Sequence, residues 1–276
     1  FYRGETADLI VAEMRRSGGI ITREDLTGYH ALWRDPVQTT YRGWRVIGMP
    51  PSSSGGVTLT EILNILEGYE LPAFGSAKLM HLEIEAMRRA FTDRNRFLGD
   101  PAFVPMPLDR LTSKGYAAGL RESISRRRAT PSSAMAAVVE SSETTHYSIV
   151  DPDGNAAAVT TTINGNFGGK VVVGGAGFLL NNEMDDFAAK PGAPNMYGLV
   201  QGEANAIQPG KRMLSSMTPT IVLNPRGDLE LVLGAPGGST IITAVYHVIS
   251  NVIDHHMSLA DAVYAPRTHH QALPDS

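Results

Sequence analysis

The residues whose types could support catalysis are concentrated in the second half of the chain. These polar residues stand in five short segments, at positions 144–147, 160–164, 181–186, 215–216 and 236–238. Hydroxyl, carboxylate and amide side chains can supply a nucleophile or hold a charged substrate, and a Pro-Gly-Gly turn can present backbone N–H groups to an oxyanion. Taken singly, each segment also has an ordinary structural explanation as strand threonines, a turn or a helix entry.

Two familiar motifs are absent from the sequence. No G-x-S-x-G segment occurs, which disfavours a serine hydrolase of the α/β type. The glycine-rich run at residues 165–177 has the composition of a phosphate loop, but Val171 follows Lys170 where such a loop needs serine or threonine. We therefore expect neither a nucleophile elbow nor a phosphate loop.

Metal chemistry is also disfavoured. The paired histidines, His255-His256 and His269-His270, lack the i, i+4 spacing of a helical zinc site. The absence of cysteine excludes thiolate ligands, a cysteine nucleophile and disulfide bonds. The sequence predicts no metal and no cofactor.

The overall charge restricts the class of partner. Lys and Arg total 24 against 28 Asp and Glu, so the net charge is −4 and no cationic excess is available to bind a phosphate backbone. The longest nearly uncharged apolar stretch, residues 171–180, is far shorter than the ~18 residues of a membrane span. We expect no nucleic acid partner and no membrane span in this chain.

The elements that must position these groups differ between the two halves. The first half predicts helices, one capped by Thr6 and ended by Gly18-Gly19, and others at residues 58–66 and 76–97. Residues 41–49 predict a strand pair turning at Gly43, followed by the loop PPSSSGG at residues 50–56.

The second half changes to a period of two. Hairpins are predicted from residues 146–150 with 156–163 and from 218–223 with 229–233, followed by helices at 240–253 and 259–264. Residues 126–143 have no clear period and predict a linker. Because the second half carries few charges, it can form the buried sheet core, and the pattern predicts a layered α+β fold.

Taken in this order, the polar segments closely resemble the γ-glutamyltranspeptidase family. The matching strings are TTHYSIVDPDGNAAAVTTTIN, LLNNEMDDFAAKPGAPNMYGLV, LSSMTPTIV, GAPGGS and APRTHHQ, with PPSSSGG and LGDP upstream. The resemblance implies an N-terminal nucleophile hydrolase with a four-layer αββα sandwich. It implies that residues 1–143 are the C-terminal part of a large subunit and that residues 144–276 begin a small subunit whose end is absent, the two forming one domain as a heterodimer.

The resemblance also implies a self-cleavage between Glu143 and Thr144. A threonine hydroxyl is a weak nucleophile at neutral pH, whereas a freed α-amine with a pKa of about 7.7–8.0 is a base suited to that pH. Cleavage would therefore give Thr144 both the nucleophile and its proton acceptor. In the uncut chain, the same hydroxyl would attack the preceding carbonyl.

Further roles follow from the same resemblance. Thr162, two strand residues before Asn164 and on its face, would steady the Thr144 hydroxyl. The family pattern places the α-ammonium of a γ-glutamyl group on Asn164, Glu183 and Asp186. It places the substrate carboxylate on the hydroxyls of Ser215 and Ser216, and the oxyanion on the N–H groups of Gly237 and Gly238. Tyr197 matches a lid residue, which disfavours the lidless cephalosporin-acylase branch.

The expected activity is transfer of the γ-glutamyl group of glutathione or a γ-glutamyl amide to water, an amino acid or a peptide. Two departures qualify this expectation: the family's carboxylate-clamping arginine has no counterpart in this chain, and Glu183 stands where many bacterial relatives carry glutamine. The alternatives are a noncatalytic or unprocessed relative that binds γ-glutamyl compounds, and a glutaryl-type amide acylase. The acylase is disfavoured because the ammonium acceptors would face no cation. By resemblance, we expect a periplasmic or secreted location.

Overall fold

The structure, a computed structural model, describes residues 1–131 and 144–273. Glu143 and most of the predicted linker therefore lie outside the described residues. The chain forms two compact units, one from Phe1–Asp35 with Ile163–Glu183 and a larger one from Pro36–Thr162 with the chain from Met184 onward. Each unit contains residues from both sides of position 144.

The smaller unit contains two helices near the start of the sequence. Helix α1 spans Glu5–Ser17 and helix α2 spans Arg23–Gly28. Ile10 and Met14 of α1 pack against Val173 in one apolar cluster. The helix ends at Ser17 and Gly18 is its C-cap, with a φ of 76° in the left-handed region, so the predicted stop is confirmed.

The predicted cap of α1 is wrong. The helix begins one residue before Thr6, at Glu5, and Gly4 takes the N-cap position without a side-chain hydrogen bond. Glu5 and Asp8 lie in the first turn, where carboxylates stabilise the positive end of the helix dipole. Thr6 therefore lies inside the helix.

The larger unit contains two sheets. The first is antiparallel, with its strands in the order β1-β2-β5-β6, and the second is the hairpin β3-β4. The strands are β1 Val37–Tyr41, β2 Trp44–Gly48, β3 Thr145–Val150, β4 Ala156–Thr161, β5 Thr220–Leu223 and β6 Leu229–Leu233. The hairpin contacts β5 and β6, and the Ser148 hydroxyl donates to the Val232 carbonyl at 2.8 Å.

Helices cover the first sheet. They are α3 Gly55–Glu67, α4 Ala77–Phe97, α5 Leu108–Leu111, α6 Lys114–Glu122, α7 Thr240–Ile253 and α8 Leu259–Tyr264. Apolar residues of α3, α4 and α7 form one core with Val46, Val222 and Leu231 of the sheet. Ser76 caps α4 by accepting a hydrogen bond from Leu79 N at 3.2 Å.

In the larger unit, helices thus pack on the four-stranded sheet, and this sheet also contacts the two-stranded sheet. The predicted α+β class is confirmed. The alternating burial of β5 and β6 matches the predicted period of two. In residues 1–131 and 144–273, no helix has both the length and the apolar character needed to cross a bilayer.

Candidate active site

The hairpin β3-β4 places two threonine hydroxyls together. Thr144 immediately precedes β3, and the first residue pair of the hairpin joins Thr145 to Thr161. Continuing this register puts Thr144 opposite Thr162, and the Thr144 hydroxyl donates to the Thr162 hydroxyl at 3.2 Å. This is the contact that the sequence led us to expect for the nucleophile, and the catalytic role of both residues stays a prediction.

The expectation that Thr162 and Asn164 share a strand face is wrong. Strand β4 ends at Thr161, and Asn164 has a φ of 72°, which is outside the extended region. The chain turns at this point because the buried Asn164 side chain donates to the Asn182 carbonyl at 3.2 Å. The neighbouring Gly165 N–H donates to the Asn182 side-chain oxygen at 2.7 Å.

Asn164 and Glu183 belong to the smaller unit, whereas the other predicted site residues belong to the larger one. Burial raises the pKa of the Glu183 carboxyl to about 7. The carboxyl is therefore partly protonated at neutral pH in the absence of a cation. The assignment of both residues to ammonium binding stays a prediction from the resemblance.

Gly237 and Gly238 form the turn that leads into α7. Their φ values are 125° and 55°, which side-chain-bearing residues rarely adopt. The Gly237 carbonyl accepts hydrogen bonds from the Thr240 N–H at 3.0 Å and from its hydroxyl at 2.7 Å. Among the described residues, neither glycine N–H donates a hydrogen bond. Two unused donors at the positive end of a 14-residue helix can stabilise an oxyanion.

The predicted lid residue, Tyr197, lies directly against this turn. Its side chain is buried, and a Cβ atom on Gly238 would stand 2.7 Å from its ring. The Tyr197 carbonyl accepts from the Gln271 amide at 3.0 Å, and the Met196 N–H donates to the Asp185 carboxylate at 2.9 Å. Sequence reasoning gave Asp185 and Gln271 no role, and the structure shows that they anchor this segment.

The PPSSSGG loop positions the two predicted carboxylate-binding serines. Ser215 N–H donates to the Ser52 carbonyl at 3.0 Å, and the Ser215 carbonyl accepts from both the N–H and the hydroxyl of Ser54 at 2.8 Å. These bonds fix the backbone on both sides of the Ser215 side chain. The loop therefore holds the serine pair in place.

Sequence reasoning missed Arg94 on α4. The side chain is 1% exposed, and it donates to the Ser216 and Ser54 hydroxyls at 3.0 Å each. Its Nη1 donates to the side-chain oxygens of Asn95 and Gln201 at 2.9 and 3.3 Å. Burial lowers the pKa of Arg94 to about 10 against the opposing effect of Asp186, so the guanidinium stays charged at neutral pH.

Two side-chain hydrogen bonds hold the backbone of Asp186. Its carbonyl accepts from the side chains of Gln201 at 3.0 Å and Asn205 at 2.7 Å. Its carboxylate interacts electrostatically with Arg94. Arg94 thus combines a contact to the Ser216 hydroxyl with an electrostatic interaction with Asp186, and a pair of opposite charges suits a ligand that carries both an ammonium and a carboxylate.

The second pair of histidines makes ordinary hydrogen bonds, whereas the buried His255 Nε2 has no hydrogen-bond partner among the described residues. His269 contacts the Thr243 hydroxyl at 2.9 Å and the Gln271 side chain at 3.0 Å through its two ring nitrogens. In the part of the chain that the structure describes, no three His, Asp or Glu side chains are grouped to hold a metal ion.

The chain is similar to known proteins over its whole length. The family model for gamma-glutamyltranspeptidase matches residues 1–276. The chain is 52% identical to a glutathione hydrolase proenzyme of Escherichia coli strain K12 and 54% identical to one of Pseudomonas sp. strain A14. These matches cover the whole chain and 48% and 49% of those proteins. The chain thus spans about half the length of these curated relatives.

A solved structure is similar over nearly the same range. The cephalosporin acylase from Bacillus halodurans is 29% identical, with a TM-score of 0.75, and the match covers 93% of this chain and 44% of that one. At this level of similarity, the larger part of the fold is shared.

Proposed function

The chain belongs to the gamma-glutamyltranspeptidase family, and on that premise we propose that the protein transfers the γ-glutamyl group of glutathione or a γ-glutamyl amide to water, an amino acid or a peptide. The observation that carries this proposal is the Thr144–Thr162 hydroxyl contact at the start of β3. It holds one hydroxyl of a candidate N-terminal threonine in a defined direction.

The chemistry begins with cleavage of the precursor before Thr144. The Thr144 hydroxyl attacks the carbonyl of residue 143, the acyl group moves from nitrogen to oxygen, and water hydrolyses the resulting ester. The freed α-amine, with an ordinary pKa of about 7.7–8.0, then accepts the hydroxyl proton during each turnover.

In turnover, the Thr144 oxygen attacks the γ-carbonyl of the substrate. The negative oxygen that develops is stabilised by the N–H groups of Gly237 and Gly238. The amine leaves with a proton, and a Thr144 ester remains. Water or an acceptor amine then attacks this ester and regenerates the hydroxyl.

The remaining assignments follow from the family resemblance, and the charges of Asp186 and Arg94 support them. Asp186 binds the substrate ammonium, and Ser215 and Ser216 donate to its carboxylate. Tyr197 covers the turn at Gly237 and Gly238, called the oxyanion turn below. The large and small subunits of one precursor form a heterodimer, exported to the periplasm or medium. Asn164 and Glu183 complete the set predicted from the resemblance.

The decisive experiment replaces the nucleophile. We expect Thr144→Ala to abolish both the cleavage and the hydrolysis of a γ-glutamyl anilide, while Thr145→Ala, the exposed neighbour on β3, leaves both intact. A denaturing gel and terminal mass spectrometry check the cleavage. Retained turnover in Thr144→Ala contradicts the proposal. A wild-type chain that stays intact and binds γ-glutamyl compounds without turnover indicates the noncatalytic alternative.

A further inference from the structure

We propose that Arg94 is the positioning residue of the carboxylate subsite. It holds the Ser216 hydroxyl with its proton directed towards the α-carboxylate of a γ-glutamyl substrate, and it supplies the positive charge that this anion requires. This inference rests on the proposed function and names the group by which the site selects its substrate.

The hydrogen bonds fix which way the Ser216 hydroxyl can donate. A serine oxygen that accepts an N–H bond keeps its own proton for another acceptor. Ser54 shows this pattern in full, because it accepts from Arg94 Nε at 3.0 Å and donates to the Ser215 carbonyl at 2.8 Å. Ser216 accepts from Arg94 Nη2 at 3.0 Å in the same way. Among the described residues, its proton has no acceptor.

Burial separates the two roles. Arg94 is 1% exposed, whereas Ser216 is partly exposed. A ligand therefore reaches the serine hydroxyl and not the guanidinium. Arg94 acts on the ligand through Ser216 and through its electric field.

The charge of Arg94 also calls for an anion. Within residues 1–131 and 144–273, Arg94 forms no salt bridge, and the acceptors on its Nη1 are the neutral side chains of Asn95 and Gln201. The negative charge of Asp186 offsets the cost of this buried cation in part, and an anion that binds next to Arg94 lowers the cost further. A carboxylate on the Ser216 hydroxyl would supply that anion.

The ligand class follows from this arrangement. The subsite suits an acyl donor with a free α-carboxylate, so the γ-glutamyl group should be strongly preferred over a 4-aminobutyryl group. The two acyl groups share the amine and the carbon chain and differ only in the carboxylate. Their comparison therefore isolates the contribution of the carboxylate.

The test compares γ-glutamyl and 4-aminobutyryl anilides in the full-length protein. For Arg94→Met, we expect kcat/KM for the γ-glutamyl anilide to fall about tenfold to a hundredfold, mainly through KM, because a hydrogen bond to a charged group is lost. For the 4-aminobutyryl anilide, we expect a change below about threefold. Arg94→Lys keeps the charge and should lie between Arg94→Met and the wild type. An equal loss on both substrates overturns the inference.

A matched control separates this effect from a general loss of packing. Arg121 is also partly buried and donates to the carbonyls of Ile65 and Asn64 at 2.8 Å each. Arg121→Met should lower activity on both anilides by the same factor. A selective loss on the γ-glutamyl anilide in this control would also overturn the inference.

A second variant tests the charge if Arg94→Met does not fold. Gln201→Glu keeps the side-chain size and places a carboxylate on Arg94 Nη1, now 3.3 Å from the Gln201 oxygen. It also removes the amide that donates to the Asp186 carbonyl, an effect that both anilides share because both carry the ammonium. We expect the preference for the γ-glutamyl anilide to fall by about fivefold or more, and an unchanged preference overturns the inference. A wild-type protein that turns over both anilides equally overturns the inference alone. One that turns over neither overturns the proposed function.

Discussion

Asp186 is the residue that we expect to distinguish a γ-glutamyl substrate from a glutaryl one. Asp186 carries a negative charge next to the cationic Arg94, and its backbone is fixed by Gln201 and Asn205. Since these two bonds end on the Asp186 carbonyl, a substitution of the side chain leaves them in place.

We expect Asp186→Ala to lower kcat/KM for a γ-glutamyl anilide by about tenfold to a hundredfold, because the substrate ammonium loses its counter-charge. The glutaryl anilide has no ammonium, and its smaller turnover should change by less than about threefold. Steady-state kinetics with both substrates check this result, and Asp153→Asn in an exposed turn serves as the control. Equal losses on both anilides would contradict the assignment of Asp186 to binding of the substrate ammonium.

The predicted site residues stand in recognisable sequence motifs, whereas Arg94, which sequence reasoning missed, does not. Thr144, Ser216 and Gly237 stand in ordered motifs, so their roles can be inferred from a resemblance. Arg94 stands in a helix rich in arginine, where local pattern indicates a solvated face. Arg94 is buried by its packing against distant parts of the chain, at residues 50–56 and 215–217 and at Gln201.

At the scale of elements, helix bounds were predictable where apolar periodicity decides them. The predicted spans of α7 and α8 are confirmed. Helix α3 begins at Gly55, three residues before the prediction, because this glycine packs closely against Met217 and Thr218. That contact comes from the tertiary fold, and no local pattern contains it.

Helices α4 and α7 enclose a buried acid and a buried imidazole. Glu83 and His247 are 5% and 3% exposed. Burial raises the pKa of Glu83 to about 7, against hydrogen bonds from Tyr246 and Thr268, and burial lowers the pKa of His247 to about 4. Between these values, both side chains are neutral in the folded protein.

The two shifts act on stability with opposite signs. The contribution of Glu83 is present below its ordinary pKa of 4.5 and is lost as the pH rises through about 7. The contribution of His247 is present above its ordinary pKa of 6.5 and is lost as the pH falls through about 4. Between pH 4.5 and 6.5, the two groups change the free energy of unfolding with pH in opposite directions, and their effects cancel.

We expect Glu83→Gln to reveal the pH dependence of stability that His247 causes. In this variant, the free energy of unfolding should fall by about 1–3 kcal/mol more than in the wild type when the pH is lowered from about 6.5 to 4.5. Urea unfolding at a series of pH values measures the slope, and Glu70→Gln at an exposed position is the control. Parallel profiles for Glu83→Gln and the wild type would mean that Glu83 is ionised in the folded state.

At the scale of the whole molecule, Gln271 joins three distant segments of the larger unit. Its side-chain oxygen accepts from the Ser239 hydroxyl at 2.6 Å, next to the oxyanion turn. Its amide donates to the Tyr197 carbonyl at 3.0 Å. The same side chain contacts His269 at 3.0 Å, so the predicted lid, the turn into α7 and the last described segment share one buried amide.

We expect Gln271→Leu to destabilise the protein by about 1–3 kcal/mol, because buried partners lose their hydrogen bonds. The kcat for the γ-glutamyl anilide should fall together with stability, since the oxyanion turn loses its support. Thermal unfolding and steady-state kinetics measure the two effects. Gln38→Leu, on an exposed edge position of β1, should change neither, and a fully active, stable Gln271→Leu would refute the bridging role.

The division into two units was beyond the reach of local patterns. Residues 163–183 return to the N-terminal helix, where Val173 packs with Ile10 and Met14. Periodicity identifies which face of a segment is apolar, but it does not identify the partner of that face. The sequence could therefore predict the α+β class without predicting this arrangement.

The position of Thr144 ahead of the hairpin bears on how the precursor matures. All six residue pairs of β3 and β4, from Thr145 with Thr161 to Val150 with Ala156, lie on the C-terminal side of the proposed scission. Breaking the chain there removes none of these six pairs, so the hairpin that holds Thr144 against Thr162 keeps its pairing before and after the proposed scission. On the proposed function, self-processing and turnover then use the same hairpin to hold the nucleophile.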